Sequence, residues 1–159
     1  MKVIHGVDEE GGVNEDAARG ERGPMKRTWL EPHRVLLVDD DEDTVQVLRM
    51  LLSAMGHEVE AVTTGAEAQV CAQRLEPEIA LIDLQLGDTD GFTLARALRA
   101  QASGRPLGLI ALTGHNVRAR CLAAGFHRHV LKPVNAAAID LEMRIACALS
   151  RGAGGGLAR

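Results

Sequence analysis

A chain of 159 residues, 46% of them apolar, is long enough for one domain of ordinary size and apolar enough to bury a core. Its formal net charge of −4 and pI near 5.8 offer no basic face for phosphate contacts, so nucleic acid is not an expected partner and a protein is. Three widely spaced cysteines, Cys71, Cys121 and Cys147, form no CxxC pattern, which argues against a disulfide framework or a zinc site and for small core residues.

The N-terminus, MKVIHGVDEEGG, lacks the apolar segment of a signal peptide, and the longest clean apolar run, LGLIAL at 107–112, is far too short to cross a bilayer. A cytoplasmic protein with no membrane partner is expected. Residues 1–33 are rich in Gly, Asp, Glu and Arg and show no sustained period, so they are expected to form a disordered tail in which only Trp29 could dock. Met25 is an alternative start, which leaves the status of residues 1–24 open.

Beyond the tail, short apolar strands alternate with amphipathic helices. Strands are expected at 34–38, 58–62, 79–82, 107–112 and 129–131, rich in leucine or β-branched residues as strands buried on both faces should be. Helical spacing places Val45, Leu48, Leu51 and Leu52 inward in the first helix, Ala66, Val70 and Leu75 in the second, and Leu94, Ala97 and Leu98 in the third. The fourth helix, around 117–124, is short, and the fifth turns Ile139, Met143, Ala146 and Leu149 to one face. Gly56, Gly104 and Gly125 stand where helices need a left-handed closing residue. The alternation predicts a parallel α/β sheet with helices on both faces, and the glycines from Ser150 onward predict a flexible exit over 150–159.

The chemistry gathers at the strand ends. Five acids, Asp39, Asp40, Asp41, Glu42 and Asp43, follow the first strand, and so many like charges are costly unless a cation or open water receives them. In an open parallel sheet ligands bind beyond the carboxyl ends of the strands, which here carry Asp39, Asp40, Asp83, Thr113 and Lys132. Adjacent acids make a hard oxygen site suited to Mg²⁺, and a lysine and a hydroxyl beside it suit phosphoryl oxygens. Taken singly, each residue also has a plainer role: Asp40 or Asp41 as a helix N-cap, LTG as a turn, Lys132 as an exposed lysine. The six histidines show no metal-binding spacing and are expected mostly at surfaces or helix ends.

In this frame VLLVDDDED, IALIDLQLGDTDG, LIALTG and VLKPV, in that order, resemble the receiver domain of two-component response regulators, over Arg34 to about Leu149. The resemblance implies a flavodoxin-like, doubly wound (βα)₅ sheet of order 2-1-3-4-5 and a receiver domain at 34–149. It implies that Asp83 accepts a phosphoryl group from a histidine kinase or histidine phosphotransfer protein and that the change alters contacts with a downstream protein. Mg²⁺ would be held by Asp39, Asp40, Asp83 and the main-chain carbonyl of Gln85, with Thr113 and Lys132 on the phosphoryl oxygens and Pro133 in the cis form. Asp41 receives no role and is expected to be solvated. The only catalysis implied is the domain's own phosphorylation and dephosphorylation.

Several positions depart from the family pattern. Gly87 and Asp88 replace the usual Pro and Gly after the phosphoacceptor, so a looser turn closing at Gly91 is expected. The 19 residues from Thr113 to Lys132 are fewer than relatives have, at the cost of the fourth helix. His129 stands where relatives carry a switching Tyr or Phe, and Gln85 and His115 occupy positions that tune phosphoryl lifetime. Two alternatives compete: a haloacid-dehalogenase-type Mg²⁺ phosphohydrolase, from the loose DxDx(T/V) match at Asp41, Asp43 and Val45, and a degenerate receiver that binds partners without phosphate.

Overall fold

A computed structural model of the chain describes residues 31–155. Its strands are β1 Arg34–Val38, β2 Glu58–Val62, β3 Ile79–Asp83, β4 Gly108–Thr113 and β5 Arg128–Leu131. The helices are α1 Glu42–Ala54, α2 Gly65–Leu75, α3 Gly91–Ala102, α4 Arg118–Ala123 and α5 Ala136–Gly155. All pairings are parallel and the sheet order is β2-β1-β3-β4-β5, as the resemblance implied.

Alternation along each strand divides the core in two. From β1, Val35 and Leu37 meet Val45, Leu48 and Leu52 of α1 and Ile139, Met143 and Ala146 of α5. Leu36 and Val38 face the other way, onto Ala68 and Leu75 of α2, Leu94 and Leu98 of α3, and Phe126. Both β3 and β4 are buried along their whole length, which is why they read as unbroken apolar runs. At Gly108 a Cβ would come within 3.3 Å of Ala146, so the glycine lets α5 lie close on β4.

Some expectations are corrected. Ala66 and Val70 face solvent; the face of α2 that packs on the sheet and on α3 is instead Gly65, Ala68, Cys71, Ala72 and Leu75, a helical phase that leaves positions 66 and 70 outside. Leu149 is also exposed, and Ser150 takes the inward place, with its Oγ donating to Cys147 O at 2.9 Å. The helix therefore does not end at Ser150 but runs to Gly155. At the other boundary His33 is buried, so the folded part begins before Arg34. The expectations for residues 1–30, Trp29 and Met25 among them, lie outside the described residues. Gly56, Gly104 and Gly125 do take positive φ. Among the described residues no helix is long and apolar enough to cross a membrane.

Candidate phosphoacceptor site

The strand order reverses between β1 and β3, which opens a crevice at their carboxyl ends. Asp39 follows β1, Asp83 ends β3, and one oxygen each from Asp39, Asp40 and Asp83 lie within 4.8 Å of one another. Asp39 is fully buried yet satisfied: Oδ1 accepts from Asp41 N–H at 3.0 Å and Oδ2 accepts from Lys132 Nζ at 2.6 Å. Asp83 is almost as buried; its Oδ1 accepts from Gln85 N–H at 3.0 Å and its Oδ2 lies 3.5 Å from Lys132 Nζ. Asp40 is exposed at the mouth.

The cluster is electrostatically unbalanced. Burial, reinforced by the Asp39 charge and opposed by the Gln85 N–H and Lys132, pushes the Asp83 carboxyl up to about 6. Burial alone would lower the Lys132 ammonium, but its hydrogen bond to Asp39 and the charges of Asp39 and Asp83 raise it. One ammonium among three carboxylates leaves an excess of negative charge on hard oxygen donors, so the residues present fit a small divalent cation.

Local sequence explains the placement. Asp41, expected as plain surface, caps α1 by accepting from Asp43 N–H at 3.2 Å and Thr44 Oγ1 at 2.6 Å, the role its plainer reading allowed. That use of Asp41 speaks against the phosphohydrolase match, which needs the first acid free at a strand end. The loop after Asp83 is not loose. Asp88 accepts from Gly65 N–H at 2.9 Å and Ala66 N–H at 3.1 Å at the start of α2, Asp90 caps α3 through Thr93, and Gln85 bridges to Asp90. At Gly91 a Cβ would sit 2.6 Å from Asp83 O, so only glycine lets α3 begin against the end of β3. The pinning role of Asp88 was missed; the D-x-D spacing before a helix start was the available signal.

Thr113 ends β4, and its Oγ1 both accepts from His115 N–H and donates to His115 O, each at 3.1 Å. With Gln85, Asp90, Phe92 and Arg120 it lines a cavity of about 220 Å³, across which the Arg120 guanidinium lies 4.7 Å from the Phe92 ring centre. Helix α4 has only six residues, as the short spacing predicts. Half-buried His129 pairs with Ala111 in the β4–β5 ladder and lines a second cavity, about 320 Å³, bounded by Arg118, Leu122, Leu131 and Glu142. Arg128 forks onto Glu142, with Nη2 to Oε1 at 3.1 Å and Nε on Oε2, and ties β5 to α5. The Lys132–Pro133 peptide is cis.

The profile of the response regulator receiver domain matches residues 35–144. The chain belongs to the response regulator receiver domain family. Response regulator PleD of Caulobacter vibrioides is 36% identical over 105 residues, covering 64% of this chain and 23% of PleD. Chemotaxis response regulator CheY4 of Vibrio cholerae superposes with a TM-score of 0.66 at 25% identity, covering 72% of this receiver and 99% of CheY4. The receiver domain of sensor histidine kinase PA1611 from Pseudomonas aeruginosa, solved with a magnesium ion coordinated in its active-site cleft, has a TM-score of 0.65 at 31% identity, covering 73% and 98%. This chain thus spans all but a sliver of single receivers but less than a quarter of PleD.

Proposed function

We propose that this receiver takes a phosphoryl group onto Asp83 from a phosphohistidine of a histidine kinase or histidine phosphotransfer protein, and that the acyl phosphate changes its contacts with another protein. The observation that carries the reading is the convergence of the Asp39, Asp40 and Asp83 oxygens beside Lys132 Nζ at the carboxyl end of the sheet. In the transfer an Asp83 oxygen attacks phosphorus in line, the new O–P bond forms as the P–N bond to the donor imidazole breaks, and the bonding pair leaves with the imidazole. Asp39, Asp40, Asp83 and the Gln85 carbonyl would hold Mg²⁺, which supplies positive charge for the phosphoryl oxygens when bound. Lys132 shifts its ammonium toward the incoming charge.

Thr113 links the site to the surface. To reach a phosphoryl oxygen its hydroxyl must release the His115 main chain, which draws on the segment leading into α4. His129, on the neighbouring strand, is the proposed responder at the α4–β5–α5 face. The PA1611 likeness supports a sensor kinase of the hybrid type as partner, and the intact acid, lysine and threonine set weighs against a degenerate receiver.

The test is direct labelling. Acetyl phosphate with Mg²⁺ should add one phosphoryl mass, labile to base, and EDTA should abolish it. Asp83→Asn keeps the size but not the nucleophile and should give no adduct. Full labelling of Asp83→Asn, or labelling without a divalent metal, would falsify the assignment.

A further inference from the structure

At the opposite end of the sheet from Asp83, four side chains form a relay that phosphoryl chemistry does not use. Cys147 Sγ of α5 lies 3.9 Å from His33 Nε2, and the other ring nitrogen of His33, Nδ1, is hydrogen-bonded to Glu78 Oε2. The second Glu78 oxygen, Oε1, is held 3.0 Å from Arg34 Nη1. Nucleophile, imidazole and carboxylate thus stand in the order in which a base is oriented by an acid and aimed at a thiol. Cys147 and His33 are buried, and Glu78 is partly exposed.

The relay opens on a space of its own. Cys147 lines a cavity of about 240 Å³ together with Arg34, Glu76, Glu78, Arg105 and Arg151. Of these charges, Glu78 is committed to His33 and Arg34, and Glu76 faces Arg105 at 3.8 Å, so the arginines outnumber the acids at the mouth. Stacked His57 completes the wall behind His33, its ring centre 6.0 Å away, with Nδ1 accepting from His33 N–H at 3.1 Å. The other two cysteines lack this setting: Cys71 sits against Arg74 Nη2 at 3.9 Å, and among the described residues neither Cys71 nor Cys121 is within hydrogen-bond reach of an imidazole.

We propose that Cys147 is a thiol-modification site that reacts with an anionic low-molecular-weight disulfide, with His33 as its base and Glu78 as the positioning carboxylate. The Sγ proton passes to His33 Nε2, the thiolate attacks one sulfur of the reagent, the Cys147–sulfur bond forms, and the reagent's own S–S bond breaks. His33 then passes the proton to the departing thiolate or, where that thiolate is too weak a base, to water. Cys147 is oxidised to a mixed disulfide as half of the reagent is reduced to a thiol, and nothing else is consumed. Burial pushes the Cys147 thiol up, with Arg151 opposing and Glu78 reinforcing, so at rest the proton stays on sulfur and the base acts only during attack. An adduct here must press between α5 and the start of β1, which gives the receiver a redox input separate from Asp83.

The probe is 5,5′-dithiobis(2-nitrobenzoate), an anionic disulfide whose released thiolate is coloured, used on the full chain with bis(2-hydroxyethyl) disulfide as the neutral control. One thiol per folded chain should react fast, mapped by mass spectrometry to Cys147, and faster with the anionic reagent. Cys147→Ser should remove that phase while Asp83 labelling by acetyl phosphate stays unchanged. His33→Gln should slow it at least about a hundredfold, the low end of base assistance, and flatten its dependence on pH. Glu78→Gln, at a partly exposed position, gives an intermediate rate and guards against a folding defect at buried His33. Reaction of all three thiols at one unfolding-limited rate, or a rate and pH profile unchanged in both the His33 and the Glu78 variants, overturns the proposal.

Discussion

Lys132 Nζ lies 2.6 Å from Asp39 Oδ2 but 3.5 Å from Asp83 Oδ2, so the ammonium is engaged mainly with the fully buried Asp39 and less with Asp83. Removing it strands Asp39 in the interior with a single N–H donor, that of Asp41. Lys132→Ala should therefore lose about 2–4 kcal/mol in EDTA, the usual cost of breaking a buried pair reduced for the solvent that reaches the lysine. A divalent cation can replace the lost charge, so added Mg²⁺ should restore more stability to Lys132→Ala than it adds to wild type. Equal Mg²⁺ stabilisation of both proteins in urea titrations would contradict this.

Asp83 carries an opposite cost. Its pKa in the fold is about 6 against an ordinary 3.8, so the folded state binds its proton more tightly than the unfolded state does. That penalty is absent below 3.8, grows as pH rises, and is complete above about 6. Asp83→Asn should consequently be more stable than wild type in EDTA at neutral pH, by on the order of 2 kcal/mol, with the advantage vanishing near pH 3.8. A pH-independent difference would remove burial of the charge as its cause. The proposed nucleophile is held at the expense of stability, as functional groups often are.

His129 lines the cavity at the α4–β5–α5 face, a cavity that none of Asp39, Asp40 and Asp83 lines. His129→Ala should leave the rate of acetyl-phosphate labelling within about twofold of wild type, because the attacking geometry stays intact. It should reduce the beryllofluoride-induced change in amide exchange over α4 and β5, since the side chain proposed to couple the two states is gone. Slowed labelling with an unaltered exchange response would assign His129 to the chemistry instead of the switch.

The strand order and the meeting of Asp39, Asp40, Asp83 and Lys132 at the strand ends were legible because buried parallel strands leave an unmistakable pattern and their ends fall in register. Val70 misled because hydropathy ranks valine high, whereas the buried face of α2 runs through Gly65, Ala68, Cys71, Ala72 and Leu75 and leaves position 70 on the outer side. Ser150 misled for the converse reason: a polar residue before a glycine run looks like an exit, yet its hydroxyl is satisfied inside the helix by Cys147 O. The His33, Glu78 and Cys147 relay joins residues 45 and 114 positions apart, and no local period encodes such a meeting.

Two histidines should make the fold acid-sensitive away from Asp83. His57 Nδ1 accepts from His33 N–H at 3.1 Å, and His127 Nδ1 accepts from Leu109 N–H at 3.0 Å, so each ring finishes a strand start only while that nitrogen is unprotonated. Burial lowers both pKa values, helped by His33 at His57, where Asp140 opposes it, and by Arg99 at His127. Since the unfolded chain takes these protons first, the stability they give is complete above the ordinary 6.5 and is lost as pH falls below it. The double variant His57→Asn, His127→Asn can keep a side-chain acceptor at each place without the titration. The wild-type advantage over this variant in urea midpoints should be constant from pH 8 to 7 and should shrink steadily from about pH 6.5 to 5. Parallel pH curves for the two proteins would mean that neither ring needs to be neutral in the folded state.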